Sequence, residues 1–293
     1  MKKVLTATLL ALAAACSQAD SSAQEQSGQV QTEVAAVDGV KLYTFDCGHI
    51  DMLDLSLFTQ GDEYDGQTNA ASVMCFLIRH PKGDLLWDAG LPTAIHDAGE
   101  EGVTSGPFSL TMPHTIEGQL AEIGLTVDDV DYFTPSHSHF DHIGDANRFA
   151  GATLLIDKDE RVHMFRDEAR ADQQSFPLYN ALEEAETIEF DGDYDVFGDG
   201  KVTILAMPGH TPGHTALLVD LENTGPVMLS GDMYHLQESR ENRYVPKFNT
   251  DVEDTLESME KFENYVAATG ARVIIQHVME DYDALPRLPG YLD

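Results

Sequence analysis

Ser136-His137-Ser138-His139-Phe140-Asp141-His142 is the stretch from which the fold of this chain is read. Three imidazoles and one carboxylate fall within six positions, behind a strand-like run (Val130, Tyr132, Phe133) and ahead of helix-like sequence. In an extended or tightly turning segment His137 and His139 project to one side, and Asp141 and His142 swing to the other as the helix begins. That arrangement suits two adjacent metal ions better than a single ion. Neutral imidazole and ionised carboxylate are donors that zinc and related first-row ions take. A lone histidine is more often a surface or packing residue than a ligand. Four potential ligands at this spacing are not accounted for in that way.

Working outward, Leu85-Leu86-Trp87-Asp88-Ala89-Gly90 lies upstream. Downstream follow Pro208-Gly209-His210-Thr211-Pro212-Gly213-His214, then Ser230-Gly231-Asp232, then Ile275-Gln276-His277. With the central His-x-His-x-Asp-His, this ordered series resembles the metallo-β-lactamase superfamily from about residue 40 to the C-terminus. Within it the chain looks most like the N-acyl-homoserine lactonase group. The resemblance implies an α/β fold, the αβ/βα sandwich, with two mixed sheets face to face and helices outside. It implies two divalent metal ions, with zinc the expected identity. His137, His139 and His210 would hold the first, Asp141, His142 and His277 the second, and Asp232 would bridge them. Asp232 separates the chain from the true β-lactamases of the superfamily, which lack a bridging carboxylate there.

The activity so implied is hydrolysis of a lactone ring, with glyoxalase II-like thioester cleavage or broader ester and phosphodiester hydrolysis as the alternative. Hydroxide between two close cations is a nucleophile at neutral pH. No Gly-x-Ser-x-Gly is present to supply a serine nucleophile instead. A metal-binding lipoprotein without catalysis is the competing class, and the complete hydrolase-type ligand set argues against it. Lactonases of this group commonly carry a tyrosine three residues after the bridging aspartate. Here that position is His235, with Tyr234 just before it, and either could donate a hydrogen bond to the substrate carbonyl. Asp141 is expected to carry a proton to the leaving oxygen. Met52, Leu53, Phe58, Phe108 and Phe176 are candidates for an apolar wall around an acyl chain. Asp88 resembles the superfamily aspartate that accepts a hydrogen bond from a metal-binding imidazole, although alone it reads equally well as a turn former. His214 reads as a supporting or packing residue, and Val278 stands where a polar neighbour of His277 is expected.

Composition narrows the partners. Against 51 Asp and Glu stand 17 Lys and Arg, a net charge of -34 that repels phosphate backbones, so no nucleic-acid partner is expected. The scarcity of basic residues also favours a neutral acyl substrate over an anionic thiol conjugate. The 293 residues, 42% of them hydrophobic, suffice for a large core. No Gly-x-Gly-x-x-Gly or Walker loop supports a nucleotide-binding fold. A homodimer is left open.

Residues 1–16 read as an export signal: Lys2 and Lys3 precede an apolar run, 4–15, too short for a stable membrane anchor. It ends Ala13-Ala14-Ala15-Cys16, which resembles a bacterial lipoprotein box with Cys16 as the lipidated residue and Ser17 directing it to the outer membrane. A plain secretory signal is the alternative. Residues 17–38 are polar and read as a tether, and 39–293 as the hydrolase domain.

Strands are expected at 41–47, 72–79, 85–88, 130–134, 152–156, 187–190, 202–207, 216–220, 227–230 and 272–276, and helices at 117–123, 143–149, 158–165 and 256–269. Residues 91–112 read as an irregular loop over the site. Cys47 and Cys75 could pair in an exported protein, or remain two buried thiols on separate strands.

Overall fold

The computed structural model describes residues 36–293, so the proposed signal, Cys16 and most of the tether lie outside the described residues. The first half of the chain runs β1 (Lys41–Met52), β2 (Asn69–His80), β3 (Gly83–Trp87), α1 (Thr93–Asp97), β4 (Val103–Ser105), β5 (Phe108–Thr111), α2 (Ile116–Glu122), β6 (Tyr132–Thr134), β7 (Thr153–Asp157), α3 (Lys158–Met164), α4 (Asp167–Ala171), α5 (Phe176–Tyr179) and β8 (Thr187–Phe190). Then come β9 (Tyr194–Asp195), β10 (Val202–Ala206), β11 (Thr215–Leu221), β12 (Gly225–Leu229), α6 (Gln237–Asn242), α7 (Val252–Thr269), β13 (Arg272–Ile274) and α8 (Met279–Asp283).

The strands form an eight-stranded sheet, ordered β4-β5-β1-β2-β3-β6-β7-β8, and a five-stranded sheet, ordered β13-β12-β11-β10-β9. Both are mixed: β3-β6, β6-β7, β7-β8 and β12-β13 are parallel and the other pairings antiparallel. β2 shows how the layers arise. Its residues are apolar on both faces, and strand alternation divides them between two cores. Met74, Phe76 and Ile78 face the second sheet and meet Ile204, Leu217, Val227 and Leu229. Val73, Cys75 and Leu77 face outward and join the core of Ile116 and Leu120 on α2. On the far side, Met259 and Phe262 of α7 cover Leu205 and Met228. Helix, sheet, sheet and helix thus stack as the αβ/βα sandwich.

α2 starts where Thr115 caps it, its hydroxyl accepting from Gly118 N at 3.1 Å. Ile116 and Leu120, one turn apart, are fully buried, each worth about 1.5–3 kcal/mol of burial. α7 is capped by Asp251, which accepts from Asp254 N at 3.0 Å.

Two local expectations are corrected, and one open choice is decided. Residues 91–112 hold α1 and a hairpin whose β5 extends the first sheet beside β1, pairing His49 with Thr111 and Met52 with Phe108. With three residues in β4 and four in β5, neither strand is long enough for its period to show. At 143–149 there is only a 3₁₀ turn, Ala146–Phe149. There Gly144 N donates to Gly90 O at 2.7 Å, and a Cβ on Gly144 would fall 2.2 Å from Pro92 N; this docking holds the chain off a helical path. Finally, Cys47 and Cys75 are joined as a disulfide between β1 and β2.

Candidate metal centre

Each potential metal ligand follows the C-terminal end of a strand. β6 leads to His137–His142, β10 to His210, β12 to Asp232 and β13 to His277. The turns after β6 of the first sheet and after β10, β12 and β13 of the second converge at one edge of the sandwich. There the residues form two groups, His137, His139, His210 and Asp232 in one and Asp141, His142 and His277 in the other, with the donor atoms of each within 4.8 Å of one another.

In the first group His139 Nδ1 lies 2.9 Å from His137 Nε2 and 3.0 Å from His210 Nε2. Asp232 Oδ2 is 3.6 Å from His137 Nε2 and 3.4 Å from His210 Nε2. Its other oxygen, Oδ1, turns to the second group, 3.1 Å from His142 Nε2 and 3.0 Å from His277 Nε2. Asp141 Oδ2 completes that group at 3.6 Å from His277 Nε2 and 3.9 Å from His142 Nε2. One carboxylate thus reaches both groups, as expected for Asp232.

The donors fit a pair of cations. Asp232 Oδ1 and His142 Nε2 are buried, close together, and without a hydrogen-bond partner. Buried polar atoms are almost always paired, so orphaned atoms converging from several residues mark the place of an ion. Burial, reinforced by neighbouring imidazoles, holds His137 and His139 well below the usual histidine range, in the neutral form that binds metal. Burial would also lower His142, but Asp232, Asp88 and Asp141 prevail and raise it.

The far ring nitrogens are tied down. His142 Nδ1 meets Asp88 Oδ2 at 2.9 Å, and His277 Nδ1 donates to Ser72 O at 2.8 Å. His210 Nδ1 lies 3.3 Å from Asn249 Oδ1. Such contacts choose the tautomer that turns the other nitrogen to the site. Asp88, fully buried with φ +64°, is held by Ser136 N at 2.6 Å, Ser136 Oγ at 3.0 Å and Gln276 Nε2 at 2.8 Å. It does the supporting task expected of it. His214 supports too: its Nδ1 donates to Met207 O at 3.0 Å, and its Nε2 accepts from Asp232 N at 2.9 Å. Burial pushes this histidine down to about 3.

Above the centre opens a cleft of about 440 Å³, with His139, Asp141, Asp232, His235 and His277 as its floor. Met52, Phe58 and Phe108 line it as expected. Leu53 is 49% exposed and outside the cleft, and Phe176 packs against Phe165 and Tyr179 elsewhere. Ile50, Leu57, Phe140, Lys247 and Phe248 were missed. Phe140 sat in plain view inside the central motif; the others carry no local signal.

Tyr234 is not brought to the site. Its hydroxyl donates to Glu263 Oε1 at 3.1 Å and its ring packs edge-on against Phe262, behind the centre. His235 alone reaches the floor, its Nε2 3.0 Å from Asp232 Oδ2. Val278 is buried in the apolar cluster under α7, which accounts for its lack of polarity.

The sequence profile of the metallo-beta-lactamase superfamily matches residues 68–277. The chain belongs to the metallo-β-lactamase superfamily. Among its superfamily relatives, the N-acyl homoserine lactonase AttM of Azorhizobium caulinodans is 30% identical over 227 residues, 74% of this chain and 86% of that protein. An N-acyl homoserine lactonase of a Bacillus species is also 30% identical, over 75% of this chain and 86% of that one. Among solved structures, an N-acyl homoserine lactone hydrolase with N-hexanoyl-L-homoserine bound at its catalytic metal centre superposes with a TM-score of 0.72. It is 27% identical, over 86% of this chain and 98% of that one. Bacillus thuringiensis AiiA bearing N-decanoyl-L-homoserine gives a TM-score of 0.71 at 26% identity, over the same shares.

Proposed function

We propose that this metallo-β-lactamase superfamily member is a dinuclear metal-dependent hydrolase that opens the ring of N-acyl-homoserine lactones. The observation that carries the reading is the cleft itself: an apolar chamber whose floor draws His139 and Asp232 from one donor group and Asp141 and His277 from the other. A neutral ring with an apolar tail matches that division of polarity. The similarity to lactonases along most of the chain supports the same conclusion.

In this reading His137, His139 and His210 hold one ion, Asp141, His142 and His277 the other, and Asp232 both. Zinc is the proposed metal because buried neutral imidazoles with carboxylates are its preferred donors. Bound there, divalent cations supply Lewis acidity, polarising the ester carbonyl and lowering the pKa of water. His235, on the cleft floor and kept neutral by burial, donates to the carbonyl oxygen where negative charge develops. Asp141 takes up the proton released as water adds to the carbonyl carbon and delivers it to the ring oxygen as the carbon–oxygen bond breaks. Ile50, Met52, Phe58, Phe108 and Phe248 exclude water and bind the acyl tail.

Hydrolysis of a panel of acyl-homoserine lactones, thioesters and phosphodiesters, followed by pH-stat or mass spectrometry, tests this. Lactones are expected to turn over fastest. Intact lactones beside rapidly cleaved thioesters would replace the reading with a glyoxalase II-like one.

The proposal extends to location: export, and attachment through Cys16 to the periplasmic face of the outer membrane. The Cys47–Cys75 disulfide supports an oxidising compartment. Fatty-acid labelling that marks wild type and not Cys16→Ser is the expected result; unlabelled wild type would mean ordinary secretion.

A further inference from the structure

Glu160 lies in α3, immediately after β7, and does not line the cleft. It is 1% exposed. Its Oε1 accepts a hydrogen bond from Ser138 Oγ at 2.6 Å, and Ser138 is the residue between His137 and His139. Its Oε2 accepts from Gly213 N at 3.1 Å, on the loop that carries His210. One carboxylate therefore ties together the two loops that supply every histidine of the first group. The contact with the second loop is close: a Cβ on Gly213 would come within 2.3 Å of Glu160 N and 2.6 Å of Glu160 Cβ, so glycine is required there.

Burying a carboxylate is costly unless hydrogen bonds to its charge offset the loss of water. Glu160 receives those bonds from the two histidine loops and so favours the loop spacing that provides them. That spacing puts His139 Nδ1 3.0 Å from His210 Nε2. Asp88 holds His142 of the second group. Asp88 also reaches the first group, through Ser136 Oγ at 3.1 Å from His137 Nδ1, whereas Glu160 contacts only the two loops of the first group.

We propose that Glu160 is the positioning residue of the first metal group. By holding Ser138 and Gly213 it sets the distance between the His137–His139 loop and the His210 loop, and with it the affinity of that group for its ion. This rests on the dinuclear reading above and is independent of the substrate.

Zinc titration of metal-stripped protein against a competing chelator tests it with no substrate present. Wild type is expected to bind two ions. Glu160→Gln is expected to weaken one of them about 10- to 100-fold, the usual effect of losing a group that orients metal ligands, and to leave the other unchanged. Ser138→Ala, which removes one donor and leaves the glutamate in place, should weaken the same ion. It should add little in the Glu160→Gln background, because the two residues act through one contact. In a His210→Ala background, Glu160→Gln should not change the affinity of the remaining ion. Far-ultraviolet circular dichroism checks folding, and if Glu160→Gln does not fold, Ser138→Ala carries the test. Wild-type affinity for both ions in the folded variants would overturn the role. So would an equal fall at both ions, which would mean general loosening. Wild-type protein binding fewer than two ions would overturn the dinuclear reading itself, and this role with it.

Discussion

His235 stacks on His277 with ring centroids 5.8 Å apart and only 11° between the planes, and this aims its Nε2 at Asp232 Oδ2, 3.0 Å away. The preceding Tyr234 points the other way, to Glu263. In the proposed reading Asp232 Oδ2 would serve an ion, which would free the His235 Nε2–H for the substrate carbonyl, and His235→Ala is then expected to lower kcat by about 10²–10³-fold, the cost of removing one donor to a developing oxyanion. Tyr234→Phe should leave kcat unchanged and cost about 1 kcal/mol of stability for one lost hydrogen bond. Steady-state kinetics beside thermal melts separate the two. A larger kinetic loss in Tyr234→Phe would reverse the assignment.

Asp232 contacts both donor groups, so its removal should damage both. Purified wild-type protein is expected to carry about two transition-metal ions per chain. Asp232→Ala should lose activity and metal while retaining its far-ultraviolet spectrum. Elemental analysis decides, and a single ion in fully loaded wild type would end the dinuclear description.

Phe248 meets Phe58, His139, His210 and His235 edge-on at the cleft. Its ring thus touches three histidines of the site. Phe248→Ala should lower kcat/KM for long-chain acyl lactones by about tenfold, consistent with 1–2 kcal/mol of lost apolar contact. Short-chain substrates should lose less. Equal losses across chain lengths would mean that Phe248 shapes the ion-binding residues and not the acyl site.

The Cys47–Cys75 bridge closes a loop with a sequence separation of 28. Replacing both cysteines with alanine should destabilise the domain by about 3–4 kcal/mol on the chain-entropy account. Chemical denaturation of oxidised wild type and the double variant measures this. An unchanged midpoint would show that packing around the bridge, and not the crosslink, carries the stability.

Four of the candidate ligands, His137, His139, Asp141 and His142, were legible in the sequence because their spacing is local and they lie on a single turn. His210, Asp232 and His277 were reached only through the resemblance of the ordered motif series to a known superfamily. The sandwich was legible in part, since β2 and β11 are apolar enough to reveal themselves, while the strands of the β4–β5 hairpin are only three and four residues long and β4 is exposed along Val103–Ser105. The choice between Tyr234 and His235 was not legible. Tyr234 has extended backbone, φ -138° and ψ 140°, so consecutive side chains point to opposite faces, and which face meets the ions depends on how the segment docks against α7. The disulfide is of the same kind: β1 pairs Phe45 with Cys75, and the irregularity between Asp46 and His49 brings Cys47 within bonding reach. Glu160 gave no signal at all, because its two partners lie 22 and 53 residues away. Residue chemistry, short spacing and the ordered motifs therefore determined which side chains could act as metal donors. Docking and strand register, set by long-range packing, decided which neighbouring side chain faces the donor groups and which buried carboxylate holds the loops.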